Sequence, residues 1–146
     1  MNFWRADYGI RHNLYLCRDI EKSLNFYRQL LQQEPLYCND DRWISFACGI
    51  SLYNRKYDEK LIREGGEIHF NQAYLNAFNG EETQKKNNIL ILNFEVENLE
   101  AEYKRLKALS IGDISEILYV NVHRPYYYFN IIDPDGNVLE ITGKMD

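Results

Sequence analysis

Cysteine is scarce. The three residues, Cys17, Cys38 and Cys48, are an odd number with no C-x-x-C spacing. That argues against both a disulfide framework and a structural zinc site, which need thiols paired at characteristic intervals. Cys17 and Cys48 stand in apolar contexts and are expected as buried thiols. A long basic block is also missing. The formal charge of -5 is spread along the chain, so the counterion release that drives nucleic-acid binding has little to act on, and no nucleic-acid partner is expected. No apolar run approaches the ~20 residues of a membrane span. The opening Met-Asn-Phe-Trp-Arg-Ala-Asp lacks the apolar core of a signal peptide. A soluble, cytoplasmic protein with no membrane partner is the expectation.

What is present is enough for one core. The 146 residues are 45% hydrophobic and 14% aromatic, which suits a single domain spanning residues 1–146. Residues 10–17 alternate as a strand, with His12, Leu14 and Leu16 on one face and Asn13, Tyr15 and Cys17 on the other. Asp19 then caps a helix in which Leu24, Tyr27 and Leu30/Leu31 recur at helical spacing. It stops before Pro35 and is expected to pack on the Tyr15 and Cys17 face. Short strands are predicted at Leu36–Asn39, Arg42–Ala47 and Ile50–Asn54. Residues 55–88 are charged and glycine-punctuated and read as a long connection, with strand pieces at Glu67–Phe70 and near Tyr74–Phe78.

The pattern then restarts. Ile89–Val96 reads as a strand and Asn98 as a cap. Leu99–Leu109 reads as a helix burying Leu99, Tyr103 and Leu106, with Gly112 just past its end. Further strands are predicted at Ser115–Val122, Tyr126–Ile132 and Asn137–Thr142. Asp19-Ile20-Glu21 returns as Asn98-Leu99-Glu100 with a helix after each, so the chain holds one βαβββ unit twice. The modules run from about 8 to 54 and about 89 to 143.

Near the C-terminus, Tyr126-Tyr127-Tyr128-Phe129 leads into Asp133-Pro134-Asp135-Gly136 and then Asn137-Val138-Leu139-Glu140. Pro134 presets φ for a turn and Gly136 can take the positive φ that closes a hairpin. After the turn, Val138, Glu140 and Thr142 share one face and Leu139 and Ile141 the other. A carboxylate on the solvent side of a strand needs no function of its own.

This segment resembles the C-terminal signature of the vicinal oxygen chelate superfamily of glyoxalases, bleomycin-resistance proteins and extradiol dioxygenases. The first module is similar too, with His12 seven residues before Asp19 and with Ser23 and Phe26-Tyr27 in the helix. The resemblance implies an α+β fold of two βαβββ modules forming a curved, cup-shaped mixed sheet with helices outside. It implies a homodimer, and one metal-ligand position on the first and last strand of each module. Those positions fall on His12, Tyr53, Ile91 and Glu140. Only His12 and Glu140 are competent ligands, fewer than the three a catalytic site needs. The cofactor is therefore none or one divalent metal, with His69 and His123 as possible substitutes in the ligand set.

Inward positions implied for a small-molecule ligand are Leu14, Leu16, Tyr53, Ile89, Ile91, Asn93, Glu95, Val138 and Glu140. Alternation leaves open whether Tyr126 and Tyr128 or Tyr127 and Phe129 face inward; Tyr126 and Tyr128 are the candidates for stacking on a flat ligand. His12 and Glu140 face the same interior and form a candidate catalytic pair, general base and orienting acid. Three functions remain open: a metal-free small-molecule binder, a metal-dependent lyase, isomerase or dioxygenase with a non-standard third ligand, and an interaction module whose contact surface is residues 55–88.

Overall fold

Asp19 and Asn98 each turn a strand into a helix, and they do so in the same way. Asp19 Oδ1 accepts from Lys22 N at 3.2 Å and Asn98 Oδ1 from Ala101 N at 3.0 Å, so each satisfies an amide with no partner inside its helix. Their backbones nearly coincide, at φ -131, ψ 98 and φ -129, ψ 102. Both helices end on a left-handed residue, Gln32 and Ser110, each at φ 53, ψ 42. The duplication read from the sequence is therefore present in the geometry of both caps.

The computed structural model describes residues 12–65, 69–79, 90–121 and 124–145. The first module is β1 (Asn13–Cys17), α1 (Ile20–Leu31), β2 (Tyr37–Asn39), β3 (Trp43–Ser45) and β4 (Ile50–Asn54). Next come α2 (Arg55–Arg63) and α3 (Gln72–Asn79). The second module is β5 (Leu92–Asn98), α4 (Leu99–Leu109), β6 (Leu118–Asn121), β7 (Pro125–Ile132) and β8 (Val138–Lys144). Each module forms a four-stranded mixed sheet, ordered β1-β4-β3-β2 and β5-β8-β7-β6. The β1/β4 and β5/β8 pairs are parallel and the others antiparallel. Neither sheet closes on itself.

One face of each sheet is covered. Tyr15, Cys17, Ile44, Ile50 and Leu52 lie under α1, which buries Ile20, Phe26, Tyr27 and Leu30. Phe129, Ile131, Leu139 and Ile141 lie under α4, which buries Leu99 and Leu106. All belong to one cluster, and each fully buried large side chain contributes about 1.5–3 kcal/mol. Burial also pushes the Cys17 thiol up to about 12, leaving it inert at neutral pH.

Two polar clamps join the modules. At the β7–β8 turn, Asp133 accepts from Tyr27 OH at 2.6 Å, and Asp135 accepts from Ser23 Oγ and Arg18 N, both at 3.0 Å. Asp133 also accepts from Asp135 N and from the backbone and side chain of Asn137, and Gly136 takes φ 85, so the turn itself is fully bonded. At the other end of α1, Arg105 donates to the carbonyls of Gln29 (2.9 Å) and Leu30 (2.7 Å), filling two of the helix's orphan acceptors. Gly112 packs so closely there that a Cβ would collide with the Ile132 carbonyl.

Three expectations are corrected. Residues 72–79 are helical, so no strand lies near Tyr74–Phe78; Asn71 Oδ1 caps the helix by accepting from Tyr74 N at 2.9 Å, and Phe70, Tyr74 and Phe78 stack at four-residue spacing. His69 and Phe70 are not in a strand either, while residues 66–68 lie outside the described residues. Cys48 is exposed, because it sits on the tight β3–β4 turn beside Gly49 at φ 96.

Tyr27→Phe keeps the ring packing and removes one donor from buried Asp133. A loss of about 1.5–3 kcal/mol is expected, the worth of one hydrogen bond to a charged group, because Asn137 Nδ2 still donates to the same oxygen. A urea midpoint equal to the wild type's would show that the turn does not depend on this bond.

Candidate functional site

Each sheet turns its other face away from α1 and α4, and the polar side chains of the two faces form separate groups. On the first sheet, strand alternation and register put His12, Leu14, Leu16, Trp43, Ser45, Ser51 and Tyr53 on this open face. Trp43 Nε1 donates to Ser45 Oγ at 2.7 Å, Ser45 Oγ lies 2.9 Å from Ser51 Oγ, and Ser51 Oγ lies 3.0 Å from His12 Nδ1. Both serines are buried, and the His12 ring stands edge-on to Trp43 at 5.8 Å.

Beside this row sits Asp58 of α2, whose side chain is 0% exposed. Arg42 grips it with two bonds, Nε to Oδ1 at 2.7 Å and Nη2 to Oδ2 at 3.0 Å. Tyr74 OH donates to Oδ2 at 2.5 Å, and Tyr53 OH donates to the same oxygen. Arg55 lies 3.7 Å over the Phe78 ring and donates to its carbonyl, so α2 and α3 are tied to each other as well. Burial acts to raise the Asp58 carboxyl, but the bonds from Arg42, Tyr53 and Tyr74 outweigh it and hold the group below its usual value. Burial, then the bond to Asp58, pushes the Tyr53 phenol far up.

On the second sheet, Asn93, Tyr126 and Glu140 converge. Glu140 Oε1 accepts from Tyr126 OH at 2.7 Å and from Asn93 Nδ2 at 2.8 Å. Tyr128 lies beside Tyr126 at 5.6 Å, while Phe129 is buried, so Tyr126 and Tyr128 are the rings on the open face. Thr142 shares that face, and Glu95 and Ile91 are exposed on β5 and just before it, with Val138 half-buried on β8.

A groove of about 430 Å³ runs between the modules, with His12, Leu14 and Leu16 on one side, Leu90 and Leu92 on the other, and Asp135 and Asn137 at the turn. Glu140 does not line it. His12 and Glu140, expected as a pair, share no hydrogen bond among the described residues. His69 is exposed beside Phe70, and His123 and Ile89 lie outside the described residues.

A glyoxalase-like domain profile matches residues 10–146. The chain belongs to this glyoxalase-like family of the vicinal oxygen chelate superfamily. Solved structures of the same fold include a protein of unknown function from Agrobacterium tumefaciens str. C58, with TM-score 0.65, 18% identity, and 98% of this chain and 99% of that one covered. A lactoylglutathione lyase from Agrobacterium tumefaciens aligns with TM-score 0.61 and 16% identity over 94% and 95%. A glyoxalase/bleomycin resistance protein/dioxygenase family enzyme from Burkholderia phytofirmans PsJN aligns with TM-score 0.62 and 17% identity over 93% and 98%. No curated protein matches the sequence.

Of the four ligand positions that the resemblance implies, His12 and Glu140 carry donors for a metal and the other two do not fit one. Ile91 has no donor atom. Tyr53 is held protonated, with its hydroxyl committed to Asp58, and a neutral phenol is a poor ligand. Among the described residues no three His, Cys, Asp or Glu side chains come together as a metal-binding group.

The residues missed by sequence reasoning are Asp58, Arg42 and Tyr74 on one side and Trp43, Ser45 and Ser51 on the other. The second group had a signal: alternation aligns Trp43 and Ser45 on β3 with Ser51 on β4. The first had the Phe70/Tyr74/Phe78 spacing, a helical period inside a segment read as loop.

Asp58 generates a signed prediction. Its folded value is lowered, so its stabilisation is fully present above the unfolded carboxyl value of ~3.9 and is lost as pH falls through the folded value. Asp58→Asn is expected to cost about 3 kcal/mol at pH 7, at the low end for halving a buried pair because Arg42 keeps 30% of its side chain exposed. The gap to wild type should narrow below pH ~4. Urea titrations across pH measure it; a pH-independent gap would refute the account.

Proposed function

We propose that this protein is a glyoxalase/bleomycin resistance/dioxygenase-like binder of a small molecule, working without the superfamily's complete metal site. The observation that carries the reading is the group Glu140, Tyr126 and Asn93 beside Tyr128: a carboxylate fixed by two donors next to half-buried aromatic rings on the open face. Such a surface offers charge, hydrogen bonding and stacking to a flat, partly cationic or polyhydroxylated ligand. Ile91 and Val138 add apolar surface and Glu95 a second carboxylate on the second module's side, while His12 and Leu14 line the groove between the modules. Tyr53, bonded to Asp58, is on the open face of the first sheet beside the His12 row.

The working form is a homodimer in the cytoplasm, acting on a small molecule and not on nucleic acid or membrane. Supporting the dimer, the outer strands β2 and β6 and the segment before β5 expose the large apolar side chains Tyr37, Leu90, Ile91, Leu118, Tyr119 and Val120, which a second copy could cover. No helix among the described residues is long and apolar enough to cross a membrane.

Two measurements test the reading. Protein purified without chelator or metal-affinity resin is expected to carry no stoichiometric metal; iron, manganese, zinc or nickel at one equivalent, lost in His12→Ala, would move the assignment to a metal-dependent enzyme. In a thermal-shift screen of aromatic and antibiotic compounds, Glu140→Gln is expected to weaken a hit by ten-fold or more, matching loss of a charge-assisted hydrogen bond of ~1.5–3 kcal/mol. Equal affinities for wild type, Glu140→Gln and His12→Ala would sink the site.

A further inference from the structure

The row Trp43–Ser45–Ser51–His12 has a direction. An indole Nε1–H only donates, so Ser45 Oγ is an acceptor at its 2.7 Å contact with Trp43. Ser45 has one proton, and the partner available to it among the described residues is Ser51 Oγ at 2.9 Å. Ser51, having accepted, has one proton left and one acceptor in reach, His12 Nδ1 at 3.0 Å. Reversing the row would make Ser45 Oγ accept from both Trp43 and Ser51 and leave its own proton without an acceptor in a buried place. Only the forward direction uses every buried hydroxyl proton.

We infer that Trp43, acting through Ser45 and Ser51, holds His12 as the neutral tautomer protonated on Nε2, so that the ring presents a hydrogen-bond donor to an acceptor oxygen of the ligand. Nε2 has no partner among the described residues, on a residue that is exposed and lines the groove between the modules. The ligand chemistry implied at this point is a carbonyl, carboxyl or phosphoryl oxygen. In this state the ring's one lone pair, on Nδ1, is engaged by Ser51 and is not offered to a metal. The contrast with metal centres is physical: a ligating histidine donates its second N–H to a neighbouring acceptor, whereas His12 Nδ1 receives a proton from Ser51. Trp43, Ser45 and Ser51 are positioning residues. The ligand class rests on the small-molecule reading above; the tautomer does not.

The test is long-range proton–nitrogen correlation on nitrogen-labelled, ligand-free protein at pH 8.5, with His12→Gln assigning the signal among three histidines. Expected for wild type is a single tautomer, Nδ1 at the limiting value of an unprotonated ring nitrogen and Nε2 at that of a protonated one. Trp43→Phe and, separately, Ser45→Ala should move both nitrogens toward each other as the tautomers begin to exchange, while Ser51→Thr, which keeps the hydroxyl, should retain the wild-type pattern. One equivalent of Co²⁺ alone should leave the His12 signals unbroadened. An Nδ1–H tautomer or averaged nitrogens in wild type, the wild-type pattern persisting in both Trp43→Phe and Ser45→Ala, or stoichiometric Co²⁺ broadening would each overturn the inference. Because no ligand is present, failure here is distinct from an empty thermal-shift screen, which would count against the binding reading.

Discussion

The structure depends on one turn. Asp133 and Asp135 sit between β7 and β8 of the second module, yet three of their bonds go to Arg18, Ser23 and Tyr27 of the first, across 106 to 117 residues of sequence. Asp133 has 4% of its surface exposed, and a carboxylate so buried is tolerated because Tyr27, the Asp135 amide and Asn137 supply its donors. Arg105 does the reciprocal job at the far end of α1. With both ends of that helix held by the other module, two four-stranded sheets become one body with one core.

That arrangement leaves two open faces with different chemistry. The first carries the directed hydroxyl row under His12 and, next to it, a carboxylate that α2 brings to Tyr53. The second carries Glu140 in the grip of Tyr126 and Asn93, with aromatic rings alongside. The duplication supplied equivalent scaffolds, and the helices α2 and α3 follow the first sheet alone. Of the four metal-ligand positions that the family resemblance implies, two carry His12 and Glu140, while the other two carry an aliphatic side chain, Ile91, and a phenol already bonded to Asp58, Tyr53.

Much of the fold was legible in the sequence, because local rules and packing agree. Asp19 and Asn98 were readable as caps, the period-two runs as strands, and the turn from its proline and glycine. The Tyr15/Cys17 and Leu139/Ile141 faces were correctly assigned to the covered side by alternation alone. What could not be read was long-range pairing. The acids of the turn look like turn residues until Tyr27 and Ser23 are beside them. Asp58 looks like one acid in a charged, solvated helix until Arg42, Tyr53 and Tyr74 surround it. Residues 72–79 misled because Tyr and Phe are enriched in strands, and the arbiter was tertiary, the stack of Phe70, Tyr74 and Phe78. Which pair of β7 tyrosines faces out was settled only by Phe129 going in.

The clamp at Asp133 has a kinetic side. Bonds spanning more than 100 residues close a very long loop, while each parallel pair, β1 with β4 and β5 with β8, closes a loop within its own module. On loop-closure grounds the modules are expected to form before the turn docks onto α1. Interactions made late resist unfolding more than they speed folding. The Asp-Pro-Asp-Gly turn is in this sense less a fold nucleus than a fastening, setting how long the assembled chain stays closed.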